Sequence, residues 1–255
     1  QPATPTDMLA IQLDDRALFL DRWRRLLLAT LDEEALKNAP RRAELRRWAE
    51  HWDGRAATGS VGYRIVREFR ARTQQSTWEM LLGGLGVAPR AGAPPAQFEG
   101  PLWRMVTEQP EHLLAPPWRD WREFLLGQAD ATTTELLAAC GNLERCSWGA
   151  RNVVALRHPL SPALPWLAGL LDFPPVAQPG DQDMPRVQMG SFGASERFAV
   201  APGHEGEGYL ALPGGPSGHP LSPWYRAGFD DWAAGRPTPL LPGPVRHRLT
   251  LAPLP

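Results

Sequence analysis

Proline is unevenly distributed along this chain, and that distribution limits the fold more than any other feature of the sequence. Of the 28 prolines, 18 lie after residue 150. Proline lacks a backbone N–H donor and disrupts the interior of a helix or a central strand. We therefore predict an α+β protein with a helical portion over residues 1–145 and a β-rich, loop-rich portion over residues 146–255.

Capping residues and apolar spacing predict the first helices. Thr4, Pro5 and Asp7 supply a cap, a first-turn proline and an acidic third position. A helix is therefore expected over roughly residues 5–31, broken at most once. Ser60 is expected to cap a further helix, because apolar residues follow it at helical spacing.

Two short helices are expected at the end of the helical portion. An apolar stripe over residues 118–125 marks the first, which Gly127 is expected to end. Thr132, with Glu135 three residues later, is expected to open the second, which ends at Cys140.

Short apolar runs predict strands in the second portion, at residues 186–189, 198–201, 209–212 and 245–251. One helix is expected to interrupt them. Ser222 followed by Pro223 predicts its start, and Gly235 is placed to end it.

The charge balance argues against a nucleic-acid groove or an anionic-membrane patch. The 27 basic and 28 acidic side chains nearly cancel, and no long run of like charge is present. No apolar run approaches the ~20 residues that a membrane span needs. We expect an approximately neutral partner or substrate.

The two cysteines, Cys140 and Cys146, leave two interpretations open. They are close enough in sequence to form a small disulfide loop in an oxidising compartment. Two buried free thiols are the alternative.

One segment approaches the pattern of a catalytic serine in a strand-to-helix turn, with Gly215, Ser217, Gly218 and His219 as its candidate residues. A proline precedes the serine and the final glycine is displaced, so an independent serine hydrolase is disfavoured. The glycines would allow close backbone approach near an active-site floor. A tight turn is favoured, because glycine and proline cluster wherever backbone geometry is demanding.

Two other groups of residues are given structural interpretations. His204, Glu205 and Glu207 lack the one-turn helical spacing of a zinc protease and lie among glycines, so we expect a solvated loop there. The 11 tryptophans are compatible with a carbohydrate- or protein-binding module without catalysis. Most of them lie at helical spacing beside other apolar residues, which favours packing in a core.

Several segments, in order, resemble the penicillin acylase family, which includes penicillin, cephalosporin and acyl-homoserine-lactone acylases. They are Ile11-Gln12-Leu13-Asp14, Trp52-Asp53-Gly54, Trp148-Gly149, His158-Pro159-Leu160, Gly180-Asp181, Phe192-Gly193-Ala194-Ser195-Glu196-Arg197, the stretch from Pro213 to Pro223, Trp232 and Gly235. The stretch from Pro213 to Pro223 is the most specific, and the matches cover nearly the whole chain.

The resemblance implies an N-terminal-nucleophile hydrolase with a four-layer αββα sandwich. In such enzymes the serine at the start of the large subunit attacks an amide carbonyl while its own α-amine takes the proton. A backbone N–H and an asparagine side chain stabilise the oxyanion. Gln1 carries no nucleophile, and the matching segments begin downstream of that asparagine. No catalytic residue is therefore assigned here, and neither Ser60 nor Ser191, each preceded by glycine, is expected to be one.

The resemblance also implies partners and a location. The chain is expected to be the C-terminal part of the large (β) subunit, completed by the α subunit and the N-terminal part of the β subunit from the same precursor. The substrate is expected to be a small N-acyl compound, either a β-lactam antibiotic or an N-acyl-homoserine lactone. No cofactor is expected, apart from a structural calcium whose ligands lie outside this chain. The protein is expected in the periplasm or outside the cell.

Overall fold

A computed structural model describes residues 3–85 and 94–252, so Gln1 lies outside the described residues. The α-helices are α1 (Pro5–Gln12), α2 (Asp21–Thr30), α3 (Glu33–Leu36), α4 (Pro40–Glu50), α5 (Val61–Gly84), α6 (Glu99–Glu108), α7 (Trp121–Cys140), α8 (Trp148–Arg151), α9 (Ala168–Leu171) and α10 (Phe229–Ala234). The strands are β1 (Val153–Val154), β2 (Val176–Ala177), β3 (Arg197–Ala199) and β4 (Tyr209–Ala211).

The first helix is broken once, as predicted. Its N-terminus carries a complete capping box, in which the Asp7 N–H donates to Thr4 Oγ1 at 3.2 Å and the Thr4 N–H donates to Asp7 Oδ2 at 2.8 Å. The break lies between α1 and α2, over residues 13–20, and includes a short 3₁₀ turn.

The helix α5 is the centre of the helical portion and packs against α2, α4, α6 and α7. The Ser60 hydroxyl accepts the Tyr63 N–H at 3.1 Å, which confirms Ser60 as the cap. Ile65 and Phe69 point into the core, where Phe69 meets Trp23 edge to face with ring centroids 6.2 Å apart. Burial of each such side chain stabilises the fold by about 1.5–3 kcal/mol.

The prediction of two short helices around Gly127 is wrong, because α7 runs through this residue without a break. Asp120 caps it by accepting the Glu123 N–H at 2.7 Å. Gly127 serves packing instead, since a Cβ there would lie 2.4 Å from Cη2 of Trp118. Thr132 lies inside the helix, where its hydroxyl donates to the Gln128 carbonyl at 2.8 Å.

The strands of the second portion form two antiparallel pairs. In the first, Val153 lies opposite Ala177, and in the second, Arg197 lies opposite Ala211. The strands β3 and β4 confirm the predictions at residues 198–201 and 209–212, with shifted and shorter bounds. Because each strand has only two or three residues, this portion is loop-rich rather than β-rich, within a fold that remains compatible with α+β.

Two of the predicted strands are wrong. In residues 186–189 the pairing is limited to an isolated bridge between Gln188 and Gly193. Residues 245–251 are exposed and belong to no strand. Both segments have the composition of a strand, but a strand also needs a neighbouring strand along its length. Among the described residues, 186–189 find such a partner only in the short stretch 192–194, where the Ala194 N–H donates to the Val187 carbonyl at 2.9 Å.

The helix expected from Ser222 is also wrong at its start. The Ser222 hydroxyl accepts the Trp224 N–H at 3.2 Å and closes a turn. The helix α10 begins only at Phe229, after Gly228 in a left-handed conformation with φ +83°. Its predicted end is confirmed by Gly235, with φ +71°.

The apolar side chains form a main core and a small satellite. The main core lies between the helices and also contains Cys146, Trp148 and Met184 from the second portion. The satellite contains Val154, Phe229 and Trp232. Among the described helices, none is both long and apolar enough to cross a bilayer.

Candidate functional site

The loop that sequence reasoning singled out is held by its glycine backbone. The Gly215 N–H donates to the Tyr225 carbonyl at 3.1 Å. A Cβ on Gly215 would lie 1.8 Å from the Trp224 carbonyl oxygen, whereas a Cβ on Gly218 would meet nothing within 4 Å. Position 215 therefore requires glycine, because the Trp224 backbone approaches it closely. Position 218 has room for a side chain.

The structure does not bring Ser217 and His219 together as a nucleophile and its base. The Ser217 hydroxyl accepts the His219 N–H at 3.2 Å, and His219 Nδ1 accepts the Leu221 N–H at 3.2 Å. Each side chain thus binds the backbone two residues further on, whereas a catalytic pair needs a direct hydrogen bond of about 2.6–3.2 Å between the two side chains. The geometry is that of a tight turn.

The acidic loop before β4 does not assemble a metal site. Glu205 accepts the Gly203 N–H at 2.8 Å, and His204 Nδ1 lies 3.4 Å from Glu207 Oε1. Across residues 3–85 and 94–252, no group of three or more His, Cys, Asp or Glu side chains is placed to hold a metal ion.

The segment Gly180-Asp181 anchors the second portion to α5. Asp181 is buried and accepts hydrogen bonds from the Tyr63 hydroxyl at 2.7 Å and from Arg67 Nε. Burial, together with the negative charge of Asp181, raises the pKa of Tyr63. This network is a structural joint, since its members are enclosed and already paired.

A second joint surrounds Trp148. Its indole N–H donates to the Gly180 carbonyl at 2.8 Å, and its ring stacks under the Arg67 guanidinium at 4.9 Å. The Asn152 amide lies within 2.8 Å of the Gln178 carbonyl oxygen and 2.9 Å of the Gln188 carbonyl oxygen. The sequence analysis did not single out Asn152. A polar residue between Trp148 and two valines could have indicated a buried side chain that binds the backbone.

A third joint connects α1 to the β3–β4 pair. Gln12 donates to the Phe198 carbonyl at 3.1 Å and accepts the Tyr209 hydroxyl at 2.9 Å. Arg197, fully enclosed, donates to the Trp232 carbonyl at 2.6 Å. Burial lowers the pKa of Arg197 to about 10. Residues from the segments at 11–14, 192–197 and 232 are thus brought together, and they act in packing.

Cys140 and Cys146 are joined in a disulfide with their Cα atoms 5.6 Å apart. It connects the last residue of α7 to the turn before α8. The enclosed Arg64 lies against it, with Nη1 3.4 Å from Cys140 Sγ.

An open groove of about 370 Å³ runs beside Trp232, between residues 154–157 and 188–193. Ser191, the serine of the second Gly-Ser pair, lines it with Gln188 and Arg157. None of these neighbours is a histidine, a carboxylate or a lysine that could act as the base for a serine nucleophile.

Two comparisons with known proteins point to one family. The family model described as penicillin amidase matches residues 1–244. The chain is 28% identical over 228 residues to penicillin acylase 2 proenzyme from Pseudomonas sp. (strain SE83), which covers 85% of this chain and 29% of that protein. The chain thus spans less than a third of the length of this relative. Because the family model matches nearly the whole sequence, the chain belongs to the penicillin amidase family.

Proposed function

We propose that this chain is part of an amidase that hydrolyses the amide bond of small N-acyl compounds. The observation that carries the proposal is the continuous family match over residues 1–244. The relative's name, a penicillin acylase proenzyme, points to β-lactam antibiotics as one substrate class. N-acyl-homoserine lactones, the substrates of related acylases, are the other.

The nucleophile of this enzyme is proposed to be an N-terminal serine outside residues 1–255, with its own α-amine as the base. Two serines of this chain have structural roles. Ser60 caps α5 through its hydroxyl, and Ser217 closes a turn. The chain spans 29% of the relative's length, which leaves ample sequence for the catalytic centre elsewhere.

The role of this chain is proposed to be structural. Its helices cover the core of a four-layer αββα sandwich, and β3 and β4 extend one of its sheets. A two-stranded pair is at most marginally stable in water by itself, which supports its inclusion in a larger sheet. The other layers belong to the α subunit and the N-terminal part of the β subunit, cut from the same precursor.

The proposed location is the periplasm or the exterior of the cell. The Cys140–Cys146 disulfide supports this, because disulfides persist in oxidising compartments. A structural calcium ion, if the assembled enzyme holds one, is proposed to have its ligands outside this chain.

The native protein, purified with everything that accompanies it, provides the test. Intact masses and N-terminal sequences should reveal a polypeptide that begins with serine, and the preparation should hydrolyse a chromogenic N-acyl anilide. Replacing that serine with alanine should abolish turnover, whereas Ser60→Ala should retain it in the folded protein. Hydrolysis by residues 1–255 alone would overturn the assignment.

The packing disfavours the alternative of a tryptophan-rich binding module. Nine of the 11 tryptophans lie in or against the two cores, and only Trp166 and Trp224 are exposed among the described residues. The rings of Trp23, Trp52 and Trp121 meet other aromatic rings edge to face or tilted, as in a protein interior.

A further inference from the structure

Exposed apolar side chains are concentrated in the second portion. Of the 16 large apolar side chains that are exposed among the described residues, 13 lie after residue 159. The other three are Ile11, Leu18 and Leu85. Isolated exposed apolar residues are normal, but a concentration of them marks a surface that another molecule covers.

Charge is missing from two segments of this portion. Residues 159–171 and 208–225 contain no Asp, Glu, Lys or Arg, in a chain in which 22% of residues are charged. Depletion of charge distinguishes the centre of a protein–protein interface from the rest of a protein surface.

Hydrogen bonds hold the two segments side by side. The Tyr225 hydroxyl donates to the Leu171 carbonyl at 2.6 Å, and Arg226 Nη2 donates to the Leu170 carbonyl at 3.0 Å. We call the exposed large apolar residues of the two segments the uncharged surface; its members are Leu160, Trp166, Leu170, Leu212, Leu221 and Trp224.

Two tryptophans dominate the uncharged surface. Trp166 is 74% exposed and Trp224 is 63% exposed, in contrast to the enclosed tryptophans of the cores. Tryptophan is enriched among the residues that contribute most to binding energy at interfaces. Covering apolar area contributes about 25 cal/mol per Å².

We propose that the uncharged surface is the face on which the remainder of the acylase polypeptide docks. This inference rests on the proposed function. The length of the relative supports this occupant. The chain spans 29% of that length, so most of such a polypeptide lies outside these residues. The matching face is expected to be largely apolar, since a charge buried against the apolar side chains of this surface, away from the bordering Arg226, would find no partner.

Hydroxyl-radical footprinting of the native protein, read out by mass spectrometry, tests the proposal residue by residue. In the native assembly, Trp166 and Trp224 should be oxidised about tenfold more slowly than in the denatured protein, as expected for side chains at the centre of an interface. Trp23, which is enclosed within the chain, supplies the reference for full protection. Oxidation of Trp166 and Trp224 at the denatured rate would overturn the proposal.

Charge insertion in the full-length precursor provides the second measurement. W166E and W224E should each reduce the yield of assembled enzyme on size exclusion by about tenfold. L18E is the matched control, because Leu18 is 75% exposed but lies in the helical portion. Equal yields for all three variants would contradict the docking face. Protection that appears only as protein concentration rises would identify a second copy as the occupant and refute the proposal.

The footprint needs no substrate, so it separates this inference from the proposed activity. A native assembly that protects Trp166 and Trp224 but hydrolyses no N-acyl compound would refute the function alone.

Discussion

The Tyr63 hydroxyl donates a 2.7 Å hydrogen bond to Asp181, which joins the first turn of α5 to a loop 118 residues later in the chain. The same carboxylate accepts Arg67 Nε. One buried acceptor thus ties the helical portion to the loop-rich portion. Its removal leaves the Arg67 guanidinium with only Glu68, 3.6 Å from Nη1, as a counter-charge.

Asp181→Asn should therefore lower the free energy of unfolding by about 3 kcal/mol, the usual cost of breaking a buried ion pair. Denaturant titration of the native protein measures this change. Asp183→Asn is the control, because Asp183 is 44% exposed and lies 3.9 Å from Arg70. It should shift stability by no more than about 0.5 kcal/mol. Equal losses in the two variants would contradict the role given to Asp181.

Tyr63 should make stability depend on alkaline pH. Its pKa is raised by burial and by Asp181, so the phenol stays protonated in the folded protein while the unfolded chain ionises near pH 10. The contribution is complete below pH 10 and is lost as the pH rises, by about 1.4 kcal/mol per pH unit. Unfolding of wild type and Tyr63→Phe, compared from pH 8 to 11, measures it. A difference that stays constant with pH would disprove the prediction.

Gly215→Ala should destabilise the protein, because its Cβ would lie 1.8 Å from the Trp224 carbonyl oxygen. A clash of this kind typically costs about 1–3 kcal/mol. Gly218→Ala, at an open position of the same loop, should change stability little. Thermal unfolding of the two variants gives the comparison, and a tolerated Gly215→Ala would show that the turn adapts.

Ser217→Ala should cost about 1 kcal/mol of stability, the value of one hydrogen bond to the His219 N–H. Turnover by the folded enzyme should not change, because the hydroxyl only closes a turn. The measurement is kcat on an N-acyl anilide beside a melting curve. Loss of turnover with stability intact would place Ser217 in the catalytic machinery instead.

Replacing Cys140 and Cys146 together with alanine should lower stability by about 2 kcal/mol, as the chain-entropy model gives for a loop this small. Thiol titration of the denatured wild type, before and after reduction, should reveal two thiols only after reduction. Two free thiols without reductant would mean that the pair is not bonded in the native protein.

Local signals in the sequence predicted the elements whose geometry is set locally. Thr4 and Ser60 cap helices because a hydroxyl beside free N–H groups acts the same way in any fold. The predictions at Gly127 and Ser222 were wrong because the roles of these residues are not set by helix ends. The glycine is required by the distant Trp118 ring, and the serine satisfies a turn before a helix that starts seven residues later.

The sequence predicted that the loop from Gly214 to His219 is a tight turn, but it could not predict the contacts of that loop. Gly-Pro clustering predicts demanding backbone geometry, and Gly215 shows it. Which of the two loop glycines is indispensable depends on the Trp224 carbonyl, a tertiary contact without a sequence signature. The joint of Tyr63 and Arg67 with Asp181 was missed because its members are more than a hundred residues apart.

Met184 belongs to the loop-rich portion by position but packs in the main core among the helices. Chimeras made from two relatives should therefore cross over after residue 184. A crossover at residue 145 would fill one parent's helical bundle with the methionine and tryptophan of the other, and the mismatch in shape would cost stability although every exchanged segment is native to its own parent.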